Sequence, residues 1–138
     1  DIYIDLTNTT IKPLCFSSKK SDGLNPHCTI CEEISSWQGE QGLKQYEVLK
    51  SALGARKQPL IFNITTSGYV NDSIYDELIK RCTQVLNGTS EESRLLPLLY
   101  MVDDIDKWDD INELKKANPN MNVSVRQEFF EEEIKIAN

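Results

Sequence analysis

Apolar and polar positions along this chain shift between two periods, and the changes of period mark its elements. A β-like run begins almost at Asp1, and the stretch Thr10 to Ser18 (TIKPLCFSS) reads as a short strand. The polar segment Lys19 to Pro26 follows, with an Asp-Gly turn signal at Asp22-Gly23. His27 to Glu33 (HCTICEE) is apolar until it ends in two acids. From Gly42 to Arg56, Leu43, Tyr46, Val48, Leu49, Ala52 and Leu53 recur mostly at three-to-four spacing, which predicts an amphipathic helix closed by Gly54.

After Pro59, the near-continuous apolar run of Leu60, Ile61, Phe62 and Ile64 predicts a strand covered on both faces, ending in Thr65-Thr66-Ser67-Gly68. Asn71, Asp72 or Ser73 can cap the next helix, whose stripe is Ile74, Leu78, Cys82 and Val85 or Leu86 before Asn87-Gly88 ends it. Leu95 to Val102 (LLPLLYMV) reads as another strand, with Pro97 near its start or at an edge. The acidic run Asp103 to Asp110 leads to a short helix over Ile111 to Ala117, and Asn118-Pro119-Asn120 breaks the chain. Ser124 starts a final helix through Phe129, Phe130, Ile134 and Ile136, with Gln127 and Glu128 available for a capping arrangement.

Strands alternating with helices of this length predict an α/β fold, a parallel sheet with flanking helices. At 138 residues and 39% hydrophobic content, the chain has material for one core. A single domain over 1–138 is therefore expected, ending in a linker helix near 124–138. Because Asp1 opens directly on a β-like run, the natural chain is expected to extend upstream.

Charge narrows the function classes. A net charge of −7 repels a phosphate backbone unless cations gather on one face, and the adjacent basic pairs Lys19-Lys20 and Arg56-Lys57 both fall in predicted loops. No run of 18 apolar residues occurs, and the first ten residues have neither a basic nor an apolar signal region. The four cysteines are read as free thiols; Cys28 and Cys31 form a CxxC, but in a strand that spacing puts them on opposite faces. Five Asn-x-Ser/Thr triplets begin at Asn8, Asn63, Asn71, Asn87 and Asn122, and would matter only in a secreted chain.

Candidate chemistry lies where predicted strands end, since ligands of open α/β sheets sit outside the carboxyl ends of the strands. An apolar strand closing in Glu32-Glu33 has the Walker B pattern, in which one carboxylate helps hold magnesium through water and its neighbour polarises the attacking water. The two side chains serve one site only if the turn begins there, because successive strand residues point apart. Thr65, Thr66 and Ser67 offer hydroxyls able to bond a phosphate, a water or a catalytic carboxylate. The bland readings are a solvated strand end and hydroxyls bonding nearby backbone. Asp103, Asp104, Asp106, Asp109 and Asp110 read as a solvated loop without the EF-hand pattern, His27 as a histidine without a catalytic partner, and Trp37 and Trp108 as packing residues.

DGLNPHCTICEEISSW resembles the Walker B region of phage large terminases, and IFNITTSGYVNDSIYDEL is similar to their coupling motif and the helix after it. LLPLLYMVDDIDKWDDINELKKANPNMNVSV resembles the strand, acidic Trp-containing stretch and Asn-Pro turn that close the same ATPase domain. The three blocks stand in the family's order and cover most of residues 20 to 128. The resemblance implies the second half of a P-loop (ASCE-type) packaging ATPase, using ATP and Mg²⁺. It makes Glu32 the magnesium-associated acid, Glu33 the catalytic carboxylate and Thr65, Thr66 and Ser67 the coupling segment.

It also implies work in the cytoplasm of an infected or lysogenic bacterium, with a small terminase subunit, a portal protein and double-stranded DNA as partners. The sequence departs from the family at Glu32, where Asp is usual, and at Ser67, where another small residue is usual. No GxxxxGK[ST] phosphate loop occurs, and the family's downstream nuclease domain is absent too. A fragment is then expected to turn over little ATP alone and to self-associate through an exposed sheet edge. Two rival classes are a non-catalytic acidic α/β interaction module that docks packaging or capsid proteins, and a metal-assisted hydrolase using Glu32-Glu33 with the Asp-rich loop.

Overall fold

The computed structural model describes residues 1–17, 21, 23–69 and 72–137. The Lys19-Lys20 pair, Asp22 of the predicted turn and the Asn71 cap lie outside the described residues. Contacts group the chain into two compact units, Asp1–Ser90 and Glu91–Asn138.

The first unit opens on an antiparallel hairpin, β1 (Ile2–Ile4) with β2 (Thr9–Ile11), in the register Ile2↔Ile11 and Ile4↔Thr9. Asn8 closes the turn in the left-handed region at φ 51°, which its short polar side chain tolerates. Its Oδ1 accepts a 2.7 Å hydrogen bond from the Tyr3 hydroxyl. The strand predicted over Thr10–Ser18 is corrected: pairing stops at Ile11, and Pro13, two residues further on, has no N–H to donate.

The centre of this unit is a parallel pair, β3 (Cys28–Glu32) and β4 (Leu60–Ile64), running in register from Cys28↔Leu60 to Glu32↔Ile64. Parallel neighbours need a crossover, and here it is helix α1 (Gly39–Ala52) flanked by short 3₁₀ turns, Ile34–Ser36 before it and Leu53–Ala55 after it. Helix α2 (Ile74–Leu86) follows β4. This mixed arrangement with a small parallel sheet agrees with the expected α/β class. The predicted Gly42 start of the first helix moves one turn earlier, to Gly39. Of the proposed caps for α2, Ser73 performs the task through a capping box with Asp76, its backbone N–H donating to Asp76 Oδ2 at 2.9 Å.

One face of the parallel pair carries the core. Cys31 and Ile34 are fully buried and cluster with Tyr46 and Leu49 of α1 and Ile74 and Leu78 of α2. Full burial of a side chain such as Ile34 stabilises the fold by about 1.5–3 kcal/mol. Tyr46 also reaches the sheet, its hydroxyl accepting from Asn63 Nδ2 at 3.2 Å. The opposite face is open, so the expectation that β4 is covered on both sides is corrected: Ile30 is 65% exposed, Phe62 51%, and Leu60 and Ile64 are similar. Both helices that follow these strands pack on the Cys31 side, and the described residues supply no second layer.

In the second unit the strand predicted over Leu95–Val102 is also corrected. The segment joins no ladder among the described residues, and Leu96, Leu98, Tyr100 and Met101 are exposed. Its apolar pattern fits a strand, but a strand needs a neighbour to take its N–H and C=O groups. Helix α3 (Ile111–Ala117) has the predicted bounds, capped by Asp110, which accepts from Asn112 N–H at 2.8 Å. Helix α4 (Gln127–Ala137) begins later than the predicted Ser124, where Asn122 at φ 65° accepts from Gln127 N–H. No helix among the described residues is long and apolar enough to cross a membrane.

The second unit is tied together by Glu113, which is almost buried and accepts from Asp103 N–H at 3.0 Å while pairing with Lys116. Lys116 also donates to Asp103 Oδ2 at 2.6 Å. The Lys116 ammonium, and next the Asp103 N–H, hold the Glu113 carboxyl below the usual carboxylate range. A depressed carboxylate stabilises the folded state above that range, and its contribution is lost as pH falls through it. Glu113→Gln should therefore speed amide exchange in α3 at neutral pH, with the gap from wild type narrowing in acid; a gap independent of pH would contradict the ionic role.

The predicted separation of the CxxC holds: Cys28 is exposed and Cys31 is buried, and no disulfide joins any of the four cysteines. Burial pushes the Cys31 thiol up to about 11. At pH 8, iodoacetamide should modify Cys28 and spare Cys31 until denaturant is added, as read by peptide mass mapping. Equal rates in the native chain would show that the β3 face is not covered.

Candidate active site

Because β3 and β4 run parallel and in step, their carboxyl ends finish side by side. Strand β3 ends at Glu32, and Glu33 turns into the left-handed region at φ 52° and ψ 49°, so the turn begins between the two acids. The 3₁₀ turn Ile34–Ser36 then folds back, Ser36 donating to Glu33 C=O through N–H at 2.8 Å and through Oγ at 2.7 Å. Trp37 follows, its indole N–H donating to the Glu32 carbonyl at 3.2 Å and its ring meeting Phe16 edge-on at 5.1 Å. It is a packing residue as expected, whereas Trp108 is 44% exposed.

The segment after β4 meets this turn at three points. Ser35 N–H donates to Thr65 Oγ1 at 3.0 Å, and Thr65 Oγ1 in turn donates to the Thr66 carbonyl at 2.8 Å. Thr66 Oγ1 donates to Glu33 Oε2 at 3.3 Å. Gly68 lies against Ser35, so close that a Cβ on it would stand 2.6 Å from the Ser35 Cβ. The structure thus brings Glu33, Thr65 and Thr66 into one hydrogen-bonded group.

Glu32 and Ser67 stand outside that group. The Glu32 carboxylate is exposed and makes no hydrogen bond or ion pair with the described residues. Ser67 is exposed after β4 and bonds none of the described residues. Sequence reading missed Ser35 and Gly68; the TTSG string ending β4 was the available signal, since a glycine beside hydroxyls can mark a close backbone approach.

Two carboxylates and two hydroxyls at neighbouring strand ends are hard oxygen donors suited to a magnesium ion that keeps most of its water. No group of three or more His, Cys, Asp or Glu able to hold a metal occurs among the described residues. Within the Asp-rich loop, Asp104 accepts from Asp106 N–H, Asp110 caps α3 and Asp103 pairs with Lys116. Those carboxylates are occupied with backbone and lysine, and His27 is exposed before β3, its carbonyl accepting from Leu60 N–H.

Chemistry gathered at the carboxyl ends of parallel strands is the arrangement of α/β proteins that handle small ligands. The sequence model of the family described as "Terminase large subunit, ATPase domain" matches residues 1–84, and the chain belongs to that family. The match includes Glu32-Glu33 and Thr65 to Ser67 and ends before Leu95. The chain is 37% identical over 113 residues to "Protein YmfN" of Escherichia coli (strain K12), an alignment over 81% of this chain and 24% of that protein. It therefore spans about a quarter of the length of this curated relative. No solved structure matches.

Holding a glutamate in the left-handed region costs about 1–2 kcal/mol. Asparagine is accepted there more readily than other side chains. Glu33→Asn should raise stability by up to about 1 kcal/mol in urea denaturation, since it relieves strain and gives up one long, exposed hydrogen bond. A clear loss would mean that the Glu33 carboxylate supports the fold.

Proposed function

We propose that this chain is the second half of the ATPase domain of a large terminase, the motor that drives viral DNA into a procapsid with energy from ATP. The observation that carries the reading is the Thr66 Oγ1 to Glu33 Oε2 contact, which links the proposed Walker B acid to the proposed coupling segment 33 residues further on. The family match over residues 1–84 supports it, as does the uncovered sheet face, an area for further helices of a larger P-loop (ASCE-type) domain to cover. On this reading residues 1–138 form part of one domain, and the last helix leads out of it.

The roles follow from position. Glu32, with a carboxylate unused by the described residues, would hold magnesium through water beside ATP. Bound magnesium supplies neutralisation of the charge on the phosphate oxygens. Glu33 would take the proton of the attacking water, with Thr66 fixing its carboxylate and Thr65 fixing the loop. Ser67, whose hydroxyl is uncommitted, would face the ligand. The triphosphate cradle must come from a phosphate loop in another part of the whole protein.

Large terminases of this kind work in the bacterial cytoplasm with a small terminase subunit, a portal protein and double-stranded DNA, and the same partners are proposed here. By itself the chain would self-associate through the free edge of its parallel pair.

The deciding experiment is Glu33→Gln in the full-length terminase that carries this chain. Magnesium-dependent ATP turnover should fall by at least about 100-fold, the scale lost with a general base, while assembly with its partners is retained. Unchanged turnover would favour the second reading, a non-catalytic acidic module that docks packaging or capsid proteins. That alternative draws on the same exposed apolar face and on Glu32 standing where Asp is usual.

A further inference from the structure

We infer that Gly68 and Ser35 form a seam that positions the Glu33 carboxylate, and that glycine is required at residue 68 by this close approach rather than by its backbone angles. The inference rests on the reading of Glu33 as the carboxylate that activates water. Three glycines, Gly23, Gly39 and Gly88, have positive φ, and Gly68 is not among them. An alanine at residue 68 meets no conformational barrier of the left-handed kind. What it meets is Ser35: the added Cβ would stand 2.6 Å from the Ser35 Cβ and 3.5 Å from its Cα. Two carbons at that separation must move apart by about 1 Å to reach ordinary contact.

The direction of that movement matters. Ser35 lies two residues after Glu33, inside the 3₁₀ turn that Glu33 opens, and Gly68 lies two residues after Thr66. Opening the seam separates the very loops joined by Ser35 N–H to Thr65 Oγ1 and by Thr66 Oγ1 to Glu33 Oε2. The latter bond is 3.3 Å long and has little reach to spare. Ile34, fully buried, resists moving the turn as a whole, so the displacement falls on the exposed hydroxyl segment. Gly68 and Ser35 touch no reacting atom on this account; they act through Thr65 and Thr66.

The test uses Gly68→Ala and the double variant Gly68→Ala with Ser35→Gly, which removes the opposing Cβ and keeps the Ser35 N–H. In the 138-residue chain, Ser35 amide exchange should speed up in the single variant and slow again in the double. In the full-length terminase, kcat should fall on the order of 100-fold in the single variant with KM for ATP unchanged, the cost of a catalytic group misplaced by about 1 Å. The double should recover most of that loss. A normal kcat for Gly68→Ala beside an inactive Glu33→Gln would overturn this inference alone. Failure of the double to recover either reading would overturn it too, because the clash would not be the cause. Normal turnover by Glu33→Gln would instead remove the functional reading beneath it.

Discussion

The parallel register of β3 against β4 is the constraint on which the rest of the first unit depends. With Cys28 opposite Leu60 and Glu32 opposite Ile64, the strands end level, and the residues just beyond them fall within hydrogen-bond reach. A slip of one residue would turn Cys31 to the open face and offset Thr66 from Glu33 by a full step of the ladder. Backbone pairing alone does not forbid that slip. What forbids it is the crossover helix, whose Tyr46 and Leu49 pack on Cys31 and whose Tyr46 hydroxyl takes a hydrogen bond from Asn63 in β4.

The same burial explains how a glutamate comes to sit in left-handed backbone. Cys31 and Ile34 are both fully buried and stand on either side of the acid pair, so the chain must turn between them. Full burial of Ile34 is worth about 1.5–3 kcal/mol, against about 1–2 kcal/mol for the left-handed glutamate. Packing wins, and the carboxylate of Glu33 is delivered towards the β4 loop instead of alternating away from Glu32. Trp37 adds a clamp on the strand end through the Glu32 carbonyl.

Much of this was legible in the residues themselves. The HCTICEE run, the helix stripe at Tyr46 and Leu49, the Ser73 cap and the bounds of α3 depend on local periodicity and capping, and each took the expected form. The acid pair and the TTS segment were identifiable because strand ends carry polar groups for ligands; their hydrogen-bonded contact depends on register, which no local pattern encodes. Gly68 looked like a strand terminator, since the need for a bare backbone arises from Ser35, 33 residues earlier in the chain. Strand predictions failed where the element needs something other than its own side chains. Pro13, two residues beyond Ile11, has no donor to offer a ladder, and Leu95–Val102 has the composition of a strand without a ladder among the described residues.

The open face of β3–β4 and the Leu95–Val102 segment, which joins no ladder among the described residues, have a common physical origin. An apolar sheet face and a strand-like segment are each stable only beside a neighbour, one for its side chains and the other for its backbone. Isolated two-stranded sheets are marginal in water, and parallel sheets are found covered on both sides. A chain that spans a quarter of its curated relative and leaves both features open is, on the proposed reading, drawing those neighbours from the rest of the protein. Charge leads to the same conclusion from another side. With 22 acidic against 15 basic residues, this surface repels phosphate, so on the same reading the cationic track for DNA belongs to other parts of the protein. On the proposed reading the labour is divided: this part orients a carboxylate, and other parts hold the triphosphate and the nucleic acid.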